Sequence, residues 1–219
     1  LNFDNVTADE VSLPVDESGF DAILASYLRF YDLDLSGYDG VISTKAPSYM
    51  VRHPNHVCYL LHTIRVFYDM FEHEFPSPWP ELLKQREFVH RIDTTALSPP
   101  HTRHIFAIGE EVRDRLLRFN GLDATVLHIP LTPDRRHSEV GNDGYAFLPG
   151  RLHRWKRVDL IIRAMKHVKT PMRLVIAGTG EDEPNFRALA RDNPRIEFLG
   201  RVSEDHLIDL YSRARVVPF

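Results

Sequence analysis

The 219-residue sequence predicts an α/β fold of two Rossmann-like parallel-sheet domains, both incomplete in this chain. Three observations carry the prediction. Short apolar runs end on glycine, proline or histidine, segments of helical period separate them, and a polar stretch near residue 140 divides the chain. Apolar strands alternating with amphipathic helices mean a parallel sheet covered on both faces.

In the first half, Phe20–Phe30 has the spacing of an amphipathic helix, and Val41–Thr44 and Val57–Leu61 read as strands, the second running into His62. Glu81–Ala96 reads as a helix and Ile105–Ile108 as a strand. Val112–Phe119 reads as a helix stopped by Gly121, and Ala124–Leu127 as a strand before His128. Pro130 to Asp143 is a linker by composition, which sets the expected domains at 1–138 and 139–219.

The second half is more regular. Tyr145–Leu148 is an apolar strand closed by Pro149-Gly150, followed by Leu160, Ile161, Ala164, Met165 and Val168 at helical spacing. Leu174–Ala177 is a wholly apolar strand closed by Gly178-Thr179-Gly180. Asn185–Arg191 reads as a helix and Ile196–Leu199 as a strand. Ser203 caps a helix with the stripe Leu207, Leu210, Tyr211, Ala214, and Val216–Phe219 opens another strand. The start on Leu1 and the stop inside an apolar run predict a fragment.

Composition narrows the function classes. Hydrophobic residues at 43% and charged residues at 26% are ordinary for a globular protein. No apolar run has the length of a membrane span, and no signal-peptide pattern opens the chain. The single cysteine, Cys58, excludes a disulfide framework and cysteine-based zinc sites, and fits a cytoplasmic protein. Residues 1–140 carry 13 Lys and Arg against 21 Asp and Glu, and residues 141–219 carry 14 against 10. The basic half is suited to one anion, and the excess is too small for nucleic acid.

Ligands of open parallel sheets bind beyond the carboxyl ends of the strands. That rule selects His62-Thr63, Gly150-Arg151, Gly178–Gly180 and Gly200–Val202. The segment from Gly150 to Arg157 holds Arg151, Arg154, Lys156 and Arg157 with no acid, and reads either as a diphosphate site or as a solvated start of a helix. Gly178 and Gly180 make either a tight turn or a cofactor cradle. The third glycine and the ribose-binding acid of a dinucleotide fingerprint are missing, which argues against an NAD enzyme. His53 with His56, and His101 with His104, lack a carboxylate at metal-ligand spacing, and no metal site is expected. His62 follows an apolar run and reads as either a site residue or a structural one.

These motifs resemble the family 4, or group 1, glycosyltransferases. From Tyr145 onward the matching pieces are Gly150-Arg151-Leu152, Lys156-Arg157-Val158-Asp159, Leu174 to Gly180, Phe198 to Val202 and Val216-Val217-Pro218. Upstream, Tyr38 to Ser43 and Tyr59 to Arg65 are similar to the middle of that family's acceptor domain. The His-Thr-x-Arg form is similar to the branch that builds O-antigen and related surface polysaccharides, often with mannose. The resemblance implies a GT-B fold and retaining transfer of a hexose, without a metal or other cofactor, from a nucleoside diphosphate sugar to a glycan or lipid-linked acceptor. GDP-mannose is favoured as donor, with a UDP-sugar as the alternative. It implies that Arg151 and Lys156 hold the donor diphosphate, that Gly150, Gly178, Gly180, Val202 and Glu204 lie near the nucleotide, and that His62 lies against the transferred sugar. Peripheral contact with the inner face of the membrane, through the acceptor domain, is a further expectation.

Four positions depart from the family pattern: Ile64, Ile108-Gly109 and Arg157 stand where proline, Asn-Ser and glycine are usual. The family's Gly-rich loop would precede Leu1 and its glutamate pair would follow Phe219, so the chain alone is expected to be inactive. Other functions compatible with the motifs are a nucleotide-sugar epimerase, an NAD-dependent dehydrogenase and an inactive sugar-nucleotide binding module.

Overall fold

A computed structural model describes residues 2–3, 6–130 and 141–218. The chain divides into two compact units, Leu1–Pro130 and Leu131–Phe219. The expected linker and the 138/139 boundary fall largely on residues 131–140, outside the described residues, as does Phe219.

The first unit opens with a two-stranded antiparallel pair, β1 (Asn2–Phe3) and β2 (Val6–Thr7), which sequence periodicity does not reveal. Its main sheet is parallel, with β3 (Val41–Ser43), β4 (His56–Leu60), β5 (His104–Ala107) and β6 (Thr125–Val126) in sequence order. Around it lie α1 (Phe20–Tyr31), the short α2 (Phe71–Glu74), α3 (Pro80–Leu97) and α4 (Glu110–Asn120). Pro80 suits the first turn of α3, where its missing N–H leaves no bond unmade. Gly121 ends α4 at φ 67°, a left-handed conformation that glycine adopts without steric cost.

Strand alternation decides what this sheet buries. His56, Cys58 and Leu60 of β4, with Ile105 and Ala107 of β5, face a core that holds Val89, Leu97 and Leu116 from α3 and α4. Ile42 on the other face is 71% exposed. The core also holds a buried carboxylate. Asp93 of α3 accepts from the Tyr27 hydroxyl at 2.6 Å and the Tyr68 hydroxyl at 2.7 Å. Burial pushes its pKa up to about 6, although the tyrosine hydrogen bonds oppose the shift. His56 is a core histidine, bonded to Ser43 Oγ at 2.8 Å and to the His101 carbonyl at 3.0 Å.

The second unit is a parallel sheet of β7 (Ala146–Pro149), β8 (Leu174–Ala177) and β9 (Ile196–Gly200), in the order β7-β8-β9. Val216 pairs in parallel with Ala146 on the open side of β7, and accepts a hydrogen bond from Phe147 N at 2.9 Å. The chain therefore steps outward from β7 and then returns to its other side. Ala146, Leu148, Leu174 and Ile176 face α5 (Val158–Ala164) and α6 (Glu183–Ala190), whereas Tyr145, Phe147, Val175 and Ala177 face α7 (Glu204–Arg213). Helices thus cover both faces. As expected, Ser203 caps α7, its hydroxyl accepting from His206 N at 3.3 Å. The helix after β7 corrects the sequence reading in part: Met165 is buried and Ile161 and Val168 pack against the core as read, whereas Leu160 and Ala164 are exposed. It ends at Ala164, buries Val158, Ile162 and Met165, and leaves Leu160 48% exposed. Arg157, in the left-handed region, immediately precedes the helix, which starts at Val158.

Candidate nucleotide site

Open parallel sheets bind ligands beyond the carboxyl ends of their strands, where the connecting loops leave the sheet. A hollow of about 600 Å³ lies at the carboxyl ends of β7, β8 and β9, lined by Gly150, Arg151, Gly178, Thr179, Gly180, Glu181 and Arg201. Backbone contact builds its floor. A Cβ on Gly178 would meet the Gly150 carbonyl oxygen and stand 2.9 Å from its carbon. One on Gly180 would stand 2.6 Å and 2.7 Å from Leu152 C and N. The two loops are joined by Leu152 N to Thr179 O at 3.0 Å and Asp182 N to Leu152 O at 3.1 Å. Gly178 and Gly180 are therefore packing glycines, whatever else they do.

Electrostatics divide the basic segment. Arg151 forks onto Glu181, with Nε 3.3 Å from Oε2 and a second contact from its terminal nitrogen to Oε1. The arginine holds the Glu181 carboxyl below its usual range. The Arg154 backbone N–H donates to Asp182 at 2.7 Å, and Arg157 pairs with Asp159 at 3.3 Å. The segment has no acid of its own, yet the loop after β8 supplies two. Arg157 also adopts φ 52°, ψ 34°, the left-handed region. The departure from glycine at this position therefore carries backbone strain.

Gly150, Arg151, Gly178 and Gly180 come together in the hollow. Lys156, Val202 and Glu204 do not line it. Lys156 lies in a single 3₁₀ turn, Arg154–Lys156, and is exposed. Val202 packs on the face of the sheet that α7 covers, and Glu204 begins α7. Sequence reasoning passed over Glu181, and it selected the Gly200–Val202 stretch without singling out Arg201. Arg201 directly follows Gly200, and the strand-end rule that selected Gly200 also reaches it. The bond between Arg151 and Glu181 spans 30 positions and has no local signature.

In the first unit, His62 lies two residues beyond β4 and is exposed, which sets it apart from the core histidine His56. Its Nδ1 donates to the Thr63 carbonyl at 2.9 Å, so in the neutral ring Nε2 is left as the acceptor. His62 borders a small recess with Thr63, Tyr68, Arg115 and Asn120. Arg65 and Arg115 both pair with Asp69, at 2.5 Å and 3.5 Å. Another hollow, of about 570 Å³, lies at the amino ends of β3 and β4, where the Tyr38 and Asp39 carbonyls already accept from His53 and Asn55. Among the described residues, no group of histidine, cysteine, aspartate and glutamate could hold a metal, and no helix is long and apolar enough to cross a membrane.

A parallel sheet with helices on both faces defines the second unit as a Rossmann-like domain, and its glycine-floored, arginine-lined hollow lies at the carboxyl ends of the strands, where such sheets bind ligands. Residues 145–219, about a third of the chain, match the family model described as glycosyl transferases group 1. No curated protein sequence matches the chain. Among solved structures, the apo lipopolysaccharide outer core galactosyltransferase WaaB matches at TM-score 0.51 and 14% identity, over 90% of this chain and 54% of that one. HepE from Anabaena, in complex with UDP-glucose, matches at TM-score 0.52 and 14% identity, over 91% and 50%. A TarM mutant from S. aureus, in complex with fondaparinux, alpha-GlcNAc-glycerol and UDP, matches at TM-score 0.53 and 13% identity, over 76% and 32%. The chain spans about half the length of the first and second of these and a third of the last. The likeness shows the fold: two α/β, Rossmann-like parallel-sheet units of the GT-B type.

Proposed function

We propose that the chain is part of a glycosyltransferase that takes a hexose from a nucleoside diphosphate sugar and retains its anomeric configuration. The carrying observation is the hollow at the carboxyl ends of β7, β8 and β9, which presents Arg151 and Arg201 inside the segment that matches group 1 glycosyltransferases. The acceptor is a glycan or lipid-linked saccharide in polysaccharide synthesis, and mannose from GDP-mannose is the first donor to test. The UDP and UDP-glucose bound by TarM and HepE make uridine nucleotides the second.

Arg151, which lines the hollow, binds the donor diphosphate and stabilises the leaving group as charge grows on it, and Lys156, exposed on the turn outside the hollow, is the second cation of the proposed pair. A diphosphate must displace Glu181 from the Arg151 fork, and it offers more charge to the same donors. His62, through Nε2, accepts a hydrogen bond from a hydroxyl of the sugar as the ring gains positive character. Transfer takes place on the cytoplasmic side, with the acceptor-side unit touching the membrane peripherally.

Calorimetric titration of the chain with GDP, UDP and NADH tests the reading. Binding of a nucleoside diphosphate, weakened roughly 10- to 150-fold by removal of Arg151 or Lys156 and much less by removal of Arg154 or Arg157, is the expected outcome. NADH binding without nucleoside diphosphate binding refutes it.

A further inference from the structure

An acid stands in a hollow suited to an anion. Glu181 is the only carboxylate among the described residues that line it, beside Arg151, Arg201 and the glycines of the strand ends. A negative charge there repels the ligand that the arginines attract. Its one side-chain partner among the described residues is Arg151, and it uses both edges of that fork, Nε and a terminal nitrogen. A phosphate held bidentate by Arg151 needs the same two donors. Glu181 and such a phosphate therefore exclude one another.

The backbone on either side of Glu181 is tied down. Gly180 packs against Leu152, Asp182 N donates to the Leu152 carbonyl at 3.1 Å, and Glu183 N donates to the Gly180 carbonyl at 3.2 Å. The Glu181 side chain, by contrast, is 58% exposed. Leaving the fork is thus a side-chain rotation into solvent on a fixed main chain, which is fast. Asp182 differs: its carboxylate accepts from the Arg154 backbone N–H at 2.7 Å and leaves the arginine side chains of the hollow to others.

Resting on the nucleotide-sugar reading above, we propose that Glu181 is a built-in competitor of the donor diphosphate. It closes the Arg151 fork, a multiply charged anion opens it, and the fraction of open forks scales the affinity of the site. An ion pair this exposed is weak, so the closure costs the ligand little and yields readily. The cost falls equally on every anion that uses Arg151. It lowers absolute affinity and leaves the order of ligands unchanged.

The test is calorimetric titration of the chain, Glu181→Gln, Arg151→Gln and the double variant with GDP, UDP and inorganic pyrophosphate, at an ionic strength of about 0.15 M. Glu181→Gln should tighten all three by the same factor, roughly 3- to 10-fold, from release of the fork and loss of a nearby charge. In the Arg151→Gln background the same substitution should gain no more than about 2-fold, the screened repulsion that remains. An equal gain in both backgrounds would reduce Glu181 to a general negative charge and overturn the proposal. Weaker binding by Glu181→Gln would make the residue a ligand contact or a support for Arg151, and unchanged binding would make the pair a surface ornament; either overturns it too. Failure of the unsubstituted chain and Glu181→Gln alike to bind any of the three would overturn the nucleotide-sugar reading instead.

Discussion

Alanine at Gly178 or Gly180 separates a packing role from a ligand role. At Gly180 the new Cβ stands 2.6 Å from Leu152 C and closer still to its carbonyl oxygen, so reaching an ordinary contact of 3.4 Å requires the loop after β7 to recede by more than about 0.8 Å. That movement strains the bonds from Leu152 N to Thr179 O and from Asp182 N to Leu152 O. Overpacking costs about 1–3 kcal/mol and each lost hydrogen bond about 1, which sums to roughly 3–5 kcal/mol. Gly178 meets a closer obstacle and also sits at φ 132°, so alanine there costs at least as much. A domain is stable by about 5–15 kcal/mol, and either substitution removes much of that. Urea unfolding is the assay. Trp79 lies in the first unit and Trp155 in the second, so with Trp79 replaced by Phe the fluorescence of Trp155 reports the second unit alone. The midpoint should fall by about 2 M or more with an unchanged slope. An unchanged midpoint combined with lost nucleotide binding would show that the glycines serve the ligand alone and refute the packing argument.

Asp93→Asn tests the buried carboxylate. Its pKa of about 6, raised from 3.8, means the folded state holds the proton longer than the unfolded state, so stability falls as pH rises from about 4 to 6 and is flat beyond. The full cost is about 3 kcal/mol, of which about 1.4 kcal/mol falls between pH 5 and 7.5. His56 and His90, with lowered pKa values, act with the opposite sign below pH 6.5, so the measurement is the difference between the chain and Asp93→Asn; identical pH slopes would refute it. Arg157→Gly should leave thermal stability equal or up to about 1 kcal/mol higher, because relief of the left-handed strain outweighs the exposed Asp159 pair and offsets the added chain entropy; a loss of 2 kcal/mol or more would refute the strain argument. His62→Ala should leave the thermal transition in place, since the ring is exposed, and lower turnover of a catalytically competent form by about 10²-fold. A collapsed transition would favour a structural role instead.

Most elements of the fold were legible because their signals are local. Leu174–Ala177 could only be a buried strand, and Gly121 could only end a helix of that period. What stayed hidden depends on distant partners. Tyr27 and Asp93 are 66 positions apart, and nothing near either residue announces a buried carboxylate. The stripe read for α5 was right at Ile161, Met165 and Val168 and wrong at Leu160, because Val158 and Ile162, one turn apart, carry the buried face. In the site, the strand-end rule found Gly150 and Arg151 directly. The basic run looked uncompensated because its counter-charges, Glu181 and Asp182, come from the loop after the next strand.

The return of Val216 to the side of Ala146 has a consequence for biosynthesis. In the first unit, β3 to β6 pair in the order in which they are made, so each strand finds its neighbour as it emerges. In the second unit, one edge of β7 waits for a partner 70 residues later. At roughly 5–20 residues per second, that is about 4–14 s of an open apolar edge beside a strand rich in phenylalanine and leucine. The hollow is lined from the ends of β7, β8 and β9 alone, so it forms before this edge is closed, and the nascent chain is most exposed to chaperones and to mispairing while the edge waits.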